Sequence, residues 1–221
     1  MSNGRAGRGA RVEAVHADGA GALVIRRLGR AEYEKTWREM QAFTAGRNAD
    51  TADELWYVEH PPIYTLGLAS RPEHLPRSDI GIPVIKTDRG GQITYHGPGQ
   101  IVIYTLLDLR RRNLGVRTLV RKLEQAVIDL LRDVGVEACR REDAPGVYIA
   151  AAKIAALGLR VRAQGCYHGL SLNADMDLTP FEVIDPCGHS GLAVTQLRDH
   201  GFSDPVDVTA GKLLQKLSKE I

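Results

Sequence analysis

Apolar positions change their period along this chain, and the changes mark its elements. Ala22 to Leu28 has the apolar character of a first strand, and the segment after Arg30 sets Tyr33, Trp37, Met40 and Thr44 at helical spacing. Leu55 to Val58 and Ile63 to Leu66 predict short strands, separated at His60-Pro61-Pro62 because neither proline can donate to a ladder. Pro76 to Pro83 is a connecting loop. Val84 to Lys86, Gln92 to Tyr95 and Gln100 to Leu107 predict continued sheet. Apolar residues at 116, 119, 120, 123, 127, 130, 131 and 134 give the clearest amphipathic helix, closed by Gly135. Gly146 to Ala150, Lys153 to Arg162 and Tyr167 to Asn173 follow as strands with glycine breaks. Ser190 to Asp199 and Val208 to Glu220 predict terminal helices. Strands outnumber helices and run consecutively, so the expected class is α/β of the α+β kind, a mixed sheet core with helices packed outside.

With 221 residues and 43% hydrophobic content the chain can bury a proper core. The expected organisation is a disordered extension over 1–21, low in complexity and poor in large apolar side chains, followed by one catalytic domain over 22–221. The net charge of +2, from 29 basic and 27 acidic residues, argues only weakly for nucleic acid. A local basic face remains, since Arg110, Arg111, Arg112, Arg117, Arg121 and Lys122 follow closely; it is either a solvated helix face or a dock for an acidic protein. Three cysteines, an odd count, fit free thiols in a reducing compartment. The first twenty residues lack the apolar core of a secretory signal, and no run approaches a membrane span, so a cytoplasmic protein without a membrane partner is expected.

The densest chemistry lies in Arg89-Gly-Gly-Gln-Ile-Thr-Tyr-His-Gly-Pro-Gly-Gln100, which leads into the apolar run Ile101 to Leu107. Its glycines let backbone approach a ligand closely, yet they match neither dinucleotide-binding nor P-loop spacing. A ligand-free glycine-rich turn is the plain alternative. RGGQITYHGPGQ, together with KIAALGLR from Lys153, GCYHGLSLN from Gly165 and DPCG from Asp185, resembles the octanoyltransferase family, also called lipoyl(octanoyl) transferase or lipoate-protein ligase B. The similarity begins near Trp56 and runs in order to about Gly191.

That resemblance implies a fold related to biotin and lipoate ligase catalytic domains, and transfer of an octanoyl group through a cysteine thioester. The implied donor is octanoyl-acyl carrier protein. The acceptors are lipoyl domains of 2-oxoacid dehydrogenase complexes and the glycine cleavage H protein, with no nucleic acid and no cofactor. Cys187 becomes the nucleophile, in a tight Pro186-Cys187-Gly188 turn. Taken alone, it would read as a small buried hydrophobe. Lys153 becomes its partner, since it occupies the lysine position of the family's KI-x-x-LG motif in an otherwise apolar stretch. Taken alone it would be a strand-edge lysine reaching solvent. An ammonium beside a thiol favours the thiolate, and partial burial lets the amine work as a base.

Further implied substrate-binding positions are Arg89, Gly90, Gly91, Gln92, Ile93, Thr94, Tyr95 and His96, then Ala156, Leu157 and Gly158, then Gly169, Leu170 and Ser171. His168 is a possible support, and His96 and His168 are equally readable as satisfied core histidines. Asn173 is expected to cap a turn. His189 departs from the aromatic residue that follows PCG in the family.

Two C-x-H pairs, Cys166/His168 and Cys187/His189, offer a rival metal-binding reading, although their spacing is shorter than a usual zinc knuckle. The remaining alternatives are a lipoyl-domain amidotransferase, an ATP-dependent lipoate ligase of the same fold, and a nucleic-acid-binding module that would use the basic helix face.

Overall fold

A computed structural model describes residues 11–17, 21–162, 165–185 and 191–221. Its strands are β1 (Arg11–Ala17), β2 (Gly21–Arg30), β3 (Asp53–Glu59), β4 (Ile63–Leu66), β5 (Val84–Lys86), β6 (Ile93–His96), β7 (Gln100–Asp108), β8 (Cys139–Arg140), β9 (Gly146–Ile149), β10 (Ala152–Arg162) and β11 (Gly165–Asn173). The helices are α1 (Tyr33–Ala45), α2 (Val116–Arg132) and α3 (Val206–Glu220). Eight strands form one sheet in the order β1-β2-β3-β7-β11-β10-β9-β8, and β5-β4-β6 form a second, smaller one. The β2–β3 pair is parallel, so the large sheet is mixed as expected.

Alternation on the central strands builds two cores. Leu55 and Tyr57 of β3, with Ile101, Ile103 and Leu107 of β7, face α2 and α3. Trp56, Val58, Val102, Tyr104 and Leu106 face α1 through Tyr33 and Met40. α2 contributes Leu119, Leu123, Val127, Leu130 and Leu131, a helical stripe with almost no exposed surface. A third cluster, Tyr64, Ile93, Tyr95, Met176, Phe181 and Ile184, lies under the small sheet.

Several expectations are corrected. Arg11–Ala17 is a strand paired antiparallel to β2, so the extension expected to be disordered through residue 21 is partly sheet. The low complexity around it masked a segment whose backbone β2 can pair. Strands β4, β5 and β6 do not continue the main sheet, because Pro61 and Pro62 break it and β4 then pairs with β5 and β6. From Gly191 to Gln196 the chain is not helical: the Lys153 amide donates to the Ala193 carbonyl at 2.8 Å, and the Thr195 amide donates to the Lys153 carbonyl at 3.0 Å. The β-branched Val194 and Thr195 therefore lie along the edge of β10, and only Leu197–His200 forms a short 3-10 turn. Ser190 lies outside the described residues.

The expected basic face is also reduced. Arg112 is buried with Nε 2.5 Å from Asp53 Oδ2, Arg111 places Nη2 2.8 Å from Asp53 Oδ1, and Arg47 pairs with the same oxygen. Asp53 also accepts the Asp108 amide. This fully buried carboxylate thereby ties the loop after β7 to the start of β3. Only Arg110, Arg117 and Arg121 of the proposed patch stay exposed. Removing one partner of a buried pair leaves the other desolvated charges without it, so Asp53→Ala is expected to cost about 3–5 kcal/mol of unfolding free energy. A urea midpoint equal to that of the unaltered protein would contradict this reading.

Candidate functional site

The small sheet and the loop Thr87–Gln92 cover part of the α1 face of the large sheet, and a cleft runs between them. About 460 Å³ of empty space, counted out to its open mouth, is lined by Arg89, Gly91, Gln92, Ile93, Thr94 and His96 above, and by Ala156, Leu157, Gly158, Gly169, Leu170 and Ser171 below. Tyr33, Val102, Tyr104 and His168 complete its buried side. Three sequence segments that are distant along the chain thus meet in one place. Tyr95 leaves the cleft: Thr94 and His96 point into it, and alternation turns Tyr95 onto Tyr64 and Phe181, with ring centroids 5.6 and 5.5 Å away. Gly90 is absent from the lining; its amide donates 3.0 Å to the Leu159 carbonyl and docks the loop on β10.

Arg89 holds that loop. Its guanidinium is buried and donates to Thr65 Oγ1, to the Thr65 carbonyl at 2.6 Å, to the Gln92 carbonyl at 2.7 Å and to the Gly90 carbonyl at 3.0 Å. A Cβ on Gly67 would stand 2.3 Å from the Gly91 carbonyl oxygen, and one on Gly158 would stand 3.0 Å from that of Gly90. These glycines are required by close backbone approach.

Lys153 borders an adjoining cavity lined with Thr94, Ala155, Ala156, Ser171, Asn173 and Val194. Thr94, Ala156 and Ser171 line both spaces, so the cleft and the lysine cavity adjoin at these residues. Lys153 is 3% exposed, its Nζ donates to the Pro145 carbonyl at 3.2 Å, and it stands 5.2 Å from the centre of the Tyr148 ring. Gly146 has φ +148°, and a Cβ there would meet the Ala155 carbonyl oxygen at 2.7 Å and Cε of Lys153 at 2.9 Å, so the glycine leaves room for both the β10 backbone and this side chain. Cys187 and His189 lie outside the described residues.

Asn173 does not cap a turn. Its Nδ2 donates to the Thr195 carbonyl at 3.0 Å and its Oδ1 accepts from Gln100 Nε2 at 2.9 Å, while Gln100 Oε1 accepts 2.7 Å from His96 Nδ1. These bonds fix both amide orientations and the His96 tautomer. The chain of bonds connects the cleft to the segment beside Lys153. Sequence reasoning missed Gln100 as part of it; a polar residue opening a buried strand was the available signal.

The residues at positions 33, 60, 88 and 104 were also missed. His60 Nδ1 donates to the Ala31 carbonyl at 2.7 Å, so Nε2 accepts the Tyr104 hydroxyl, also at 2.7 Å. Asp88 gathers Trp37 Nε1 at 2.8 Å, His168 Nε2 at 3.0 Å, Gln41 and the Tyr167 hydroxyl. Burial pushes the Asp88 carboxyl up, but the hydrogen bonds from His168, Tyr167 and Trp37 outweigh it and hold it well below the usual carboxylate range.

Tyr167 and His168 reach the same carboxylate because His168 has φ +62°. Regular alternation would place His168 with Cys166 and Leu170; the left-handed backbone turns it to the side of Tyr167 instead. Burial lowers the His168 pKa despite the Asp88 bond, so the ring is neutral with its proton on Nε2. Cys166 faces the opposite core, donating to the Thr105 carbonyl at 3.3 Å, and burial pushes its thiol up to about 11. The Cys166/His168 half of the metal-binding reading is thereby removed: the two side chains leave opposite faces of β11. Among the described residues no group of three or more His, Cys, Asp or Glu could hold a metal ion.

Residues 32–221 match the family described as the lipoyl protein ligase A/B catalytic domain. An octanoyltransferase of Azoarcus sp. strain BH72 is 61% identical over 195 residues, 88% of this chain and 86% of the relative. One from Chromobacterium violaceum is 57% identical over 198 residues, covering 90% and 95%. In fold the chain is similar to lipoate-protein ligase A bound with ATP (TM-score 0.70, 15% identity, 90% and 84% covered). It is also similar to the Aquifex aeolicus biotin protein ligase in complex with biotin and ATP (0.58, 12%, 90% and 69%).

Acid should act on this site first. Burial lowers the pKa of His60 to about 4 and that of His96 to about 3, against about 6.5 for an unfolded histidine. The unfolded chain therefore binds more protons below pH 6.5. The stability from keeping both rings neutral is full above that pH and is lost progressively as pH falls toward the folded values. Between pH 7 and pH 5 roughly 2 kcal/mol per histidine should disappear from urea unfolding; a flat profile over that interval would refute the assignment.

Proposed function

We infer the reaction from a premise of kinship: the chain belongs to the lipoyl protein ligase A/B catalytic-domain family and, within it, to the octanoyltransferases. It transfers an octanoyl group in protein lipoylation. The finer reading is that octanoyl-acyl carrier protein is the donor, a lipoyl domain provides the acceptor lysine, and Cys187 carries the acyl group between them. The observation that carries this reading is that the cleft and the cavity of the buried Lys153 adjoin at Thr94, Ala156 and Ser171, which sets a slot suited to an alkyl chain next to an amine.

In the first half-reaction the Cys187 thiolate attacks the thioester carbonyl carbon. The carbonyl re-forms as the carrier sulfur leaves with the bonding pair, and Lys153 supplies that sulfur with a proton. One thioester replaces another at little free-energy cost. In the second half-reaction the acceptor lysine amine attacks the Cys187 thioester, its surplus proton passes to Lys153, and the cysteine leaves as thiolate. The amide formed is more stable than the thioester consumed, which drives the sequence forward. No ATP is consumed in either step.

Several features support Lys153 as the proton carrier. Its backbone is fixed on both sides by Ala193 and Thr195, its side chain fills the slot beside Gly146, and the Pro145 carbonyl and Tyr148 ring limit where Nζ can go. A group that must serve two successive acyl transfers benefits from such positioning. Arg89 supports the cleft rather than contacting the carbonyl, since its donors are directed to Thr65, Gly90 and Gln92.

Intact mass after mixing the protein with octanoyl-loaded carrier protein, without ATP, tests the route. The unaltered chain should gain one hydroxylamine-labile octanoyl group and Cys187→Ala none; an equal adduct on both would sink the thioester intermediate. Lys153→Ala should slow acylation of the enzyme and delivery to the lipoyl domain alike, and undiminished rates would eliminate its role. Gly146→Ala, which crowds the Ala155 carbonyl oxygen and Cε of Lys153 together, should lower turnover by about 100-fold, the scale of a 1 Å misplacement, and an unchanged rate would show that the slot does not matter.

A further inference from the structure

We propose that Glu124 is a positioning residue for Lys153: its carboxylate, acting through the Pro145–Gly146 peptide unit, fixes and polarises the carbonyl that holds the lysine Nζ. The inference rests on Lys153 as the proton carrier and adds the group that keeps it in place and charged.

Of the buried residues of α2, only Glu124 is charged, and it is 3% exposed. A carboxylate is rarely kept in such a place without a partner. Its Oε1 accepts the Gly146 amide at 2.9 Å, and Nε of Arg140, in β8, stands 3.8 Å from its Oε2. The Gly146 amide and the Pro145 carbonyl are the two ends of one peptide unit, and that carbonyl accepts from Lys153 Nζ at 3.2 Å. Resonance couples the two ends: a carboxylate drawing on the N–H raises the electron density on the oxygen and strengthens the bond that the oxygen accepts. The Tyr148 hydroxyl donates to the neighbouring Ala144 carbonyl at 2.8 Å, so the stretch carrying the unit is tied on both sides.

A neutral acceptor would satisfy the Gly146 amide equally well; what the carboxylate adds is charge. Lys153 is buried, and burial disfavours an ammonium. A negative charge transmitted to its carbonyl partner favours the ammonium instead. The same carbonyl fixes one of the directions in which Nζ donates, which leaves the others for the departing sulfur and, once that proton is given up, a lone pair for the acceptor amine's proton. Arg140 offsets part of the Glu124 charge. Arg141 is a further cation near the unit, with its guanidinium 4.4 Å from the centre of the Tyr148 ring and Lys153 Nζ 5.2 Å from that same centre. The carboxylate thus acts in a positively charged neighbourhood, where losing it is felt by the buried amine.

The pH dependence of each half-reaction tests the link, with intact mass following octanoyl from loaded carrier protein to the enzyme and from the enzyme to a lipoyl domain. Glu124→Gln keeps an oxygen for the Gly146 amide and removes the charge. Acylation needs the Lys153 ammonium and delivery needs the amine. The alkaline limb of acylation and the acid limb of delivery should therefore both move down by about one pH unit, the effect of a unit charge across two hydrogen bonds. Glu124→Leu removes the acceptor as well and should also lower the rate at the optimum about tenfold, the scale of one hydrogen bond. Unmoved limbs in Glu124→Gln would overturn the proposal, since a purely structural carboxylate changes the amount of active protein and not its pH profile. A measurement on the unaltered protein covers variants that do not fold: the Gly146 amide resonance should titrate with the alkaline limb and cease to do so in Lys153→Ala. An amide indifferent to that pH range would overturn the link. Full transfer by Lys153→Ala would sink the proton-carrier reading and the positioning role with it, whereas an inactive Lys153→Ala beside an unshifted Glu124→Gln would sink the positioning role alone.

Discussion

The cleft exists because one buried guanidinium holds a second sheet over the first. Arg89 donates to the side chain and carbonyl of Thr65 in β4 and to the carbonyls of Gly90 and Gln92, so a single planar fork fixes the small sheet and the loop leading into β6. The loop in turn meets β10 through the Gly90 amide and the Leu159 carbonyl. Desolvating arginine is expensive unless its donors are satisfied, so the same bonds that stabilise the charge specify the loop geometry. Gly67 and Gly158 follow as consequences, because a methyl at either would collide with the backbone that Arg89 has drawn in.

A second constraint operates underneath. Asp88, next to Arg89 in sequence, binds Trp37 and Gln41 of α1 and Tyr167 and His168 of β11. Two consecutive strand residues cannot face one carboxylate in a regular strand, and the left-handed φ of His168 is what resolves the conflict. A non-glycine residue there costs of order 1 kcal/mol or more, and the bonds to Asp88 offset it. Neighbouring residues of one loop thus set the roof of the cleft through Arg89 and its floor through Asp88.

Sequence patterning made most of this fold legible, and its failures have physical reasons. The helices from Tyr33 and Val116 were visible because their apolar stripes recur at 3.6 residues, and β7 and β11 because buried central strands are apolar on both faces. The division into two sheets was not visible, since strand pairing is a long-range property that alternation does not encode. Gly191–Gln196 was misread as helix because its apolar spacing fits a turn of helix, while its edge pairing with Lys153 is invisible locally. At the site, the motif residues that meet in the cleft were legible through family resemblance. Tyr33, His60, Asp88 and Tyr104 were not, because single tyrosines, histidines and aspartates carry no periodic signal, and the bonds joining Gln100 to Asn173 and Trp37 to Asp88 span 73 and 51 positions.

These arrangements bear on why one scaffold can serve an acyl exchange in two steps. On the proposed route the donor expels a carrier thiol and the acceptor loses an amine proton, both beside Thr94, Ala156 and Ser171, which line the cleft and the lysine cavity alike. On that route an alkyl tail held in the cleft would keep the carbonyl carbon in place while the two partners exchange, so tail binding would serve both transition states without being broken between them. The two histidines of the cleft suit that purpose because burial disfavours their charged forms. Burial keeps His96 and His168 uncharged, and the bonds to Gln100 and Asp88 settle which nitrogen carries the proton. A charged imidazolium there would oppose an alkyl chain. The neutrality of the histidines is therefore part of how the cleft stays fit for a fatty acyl group beside a buried lysine.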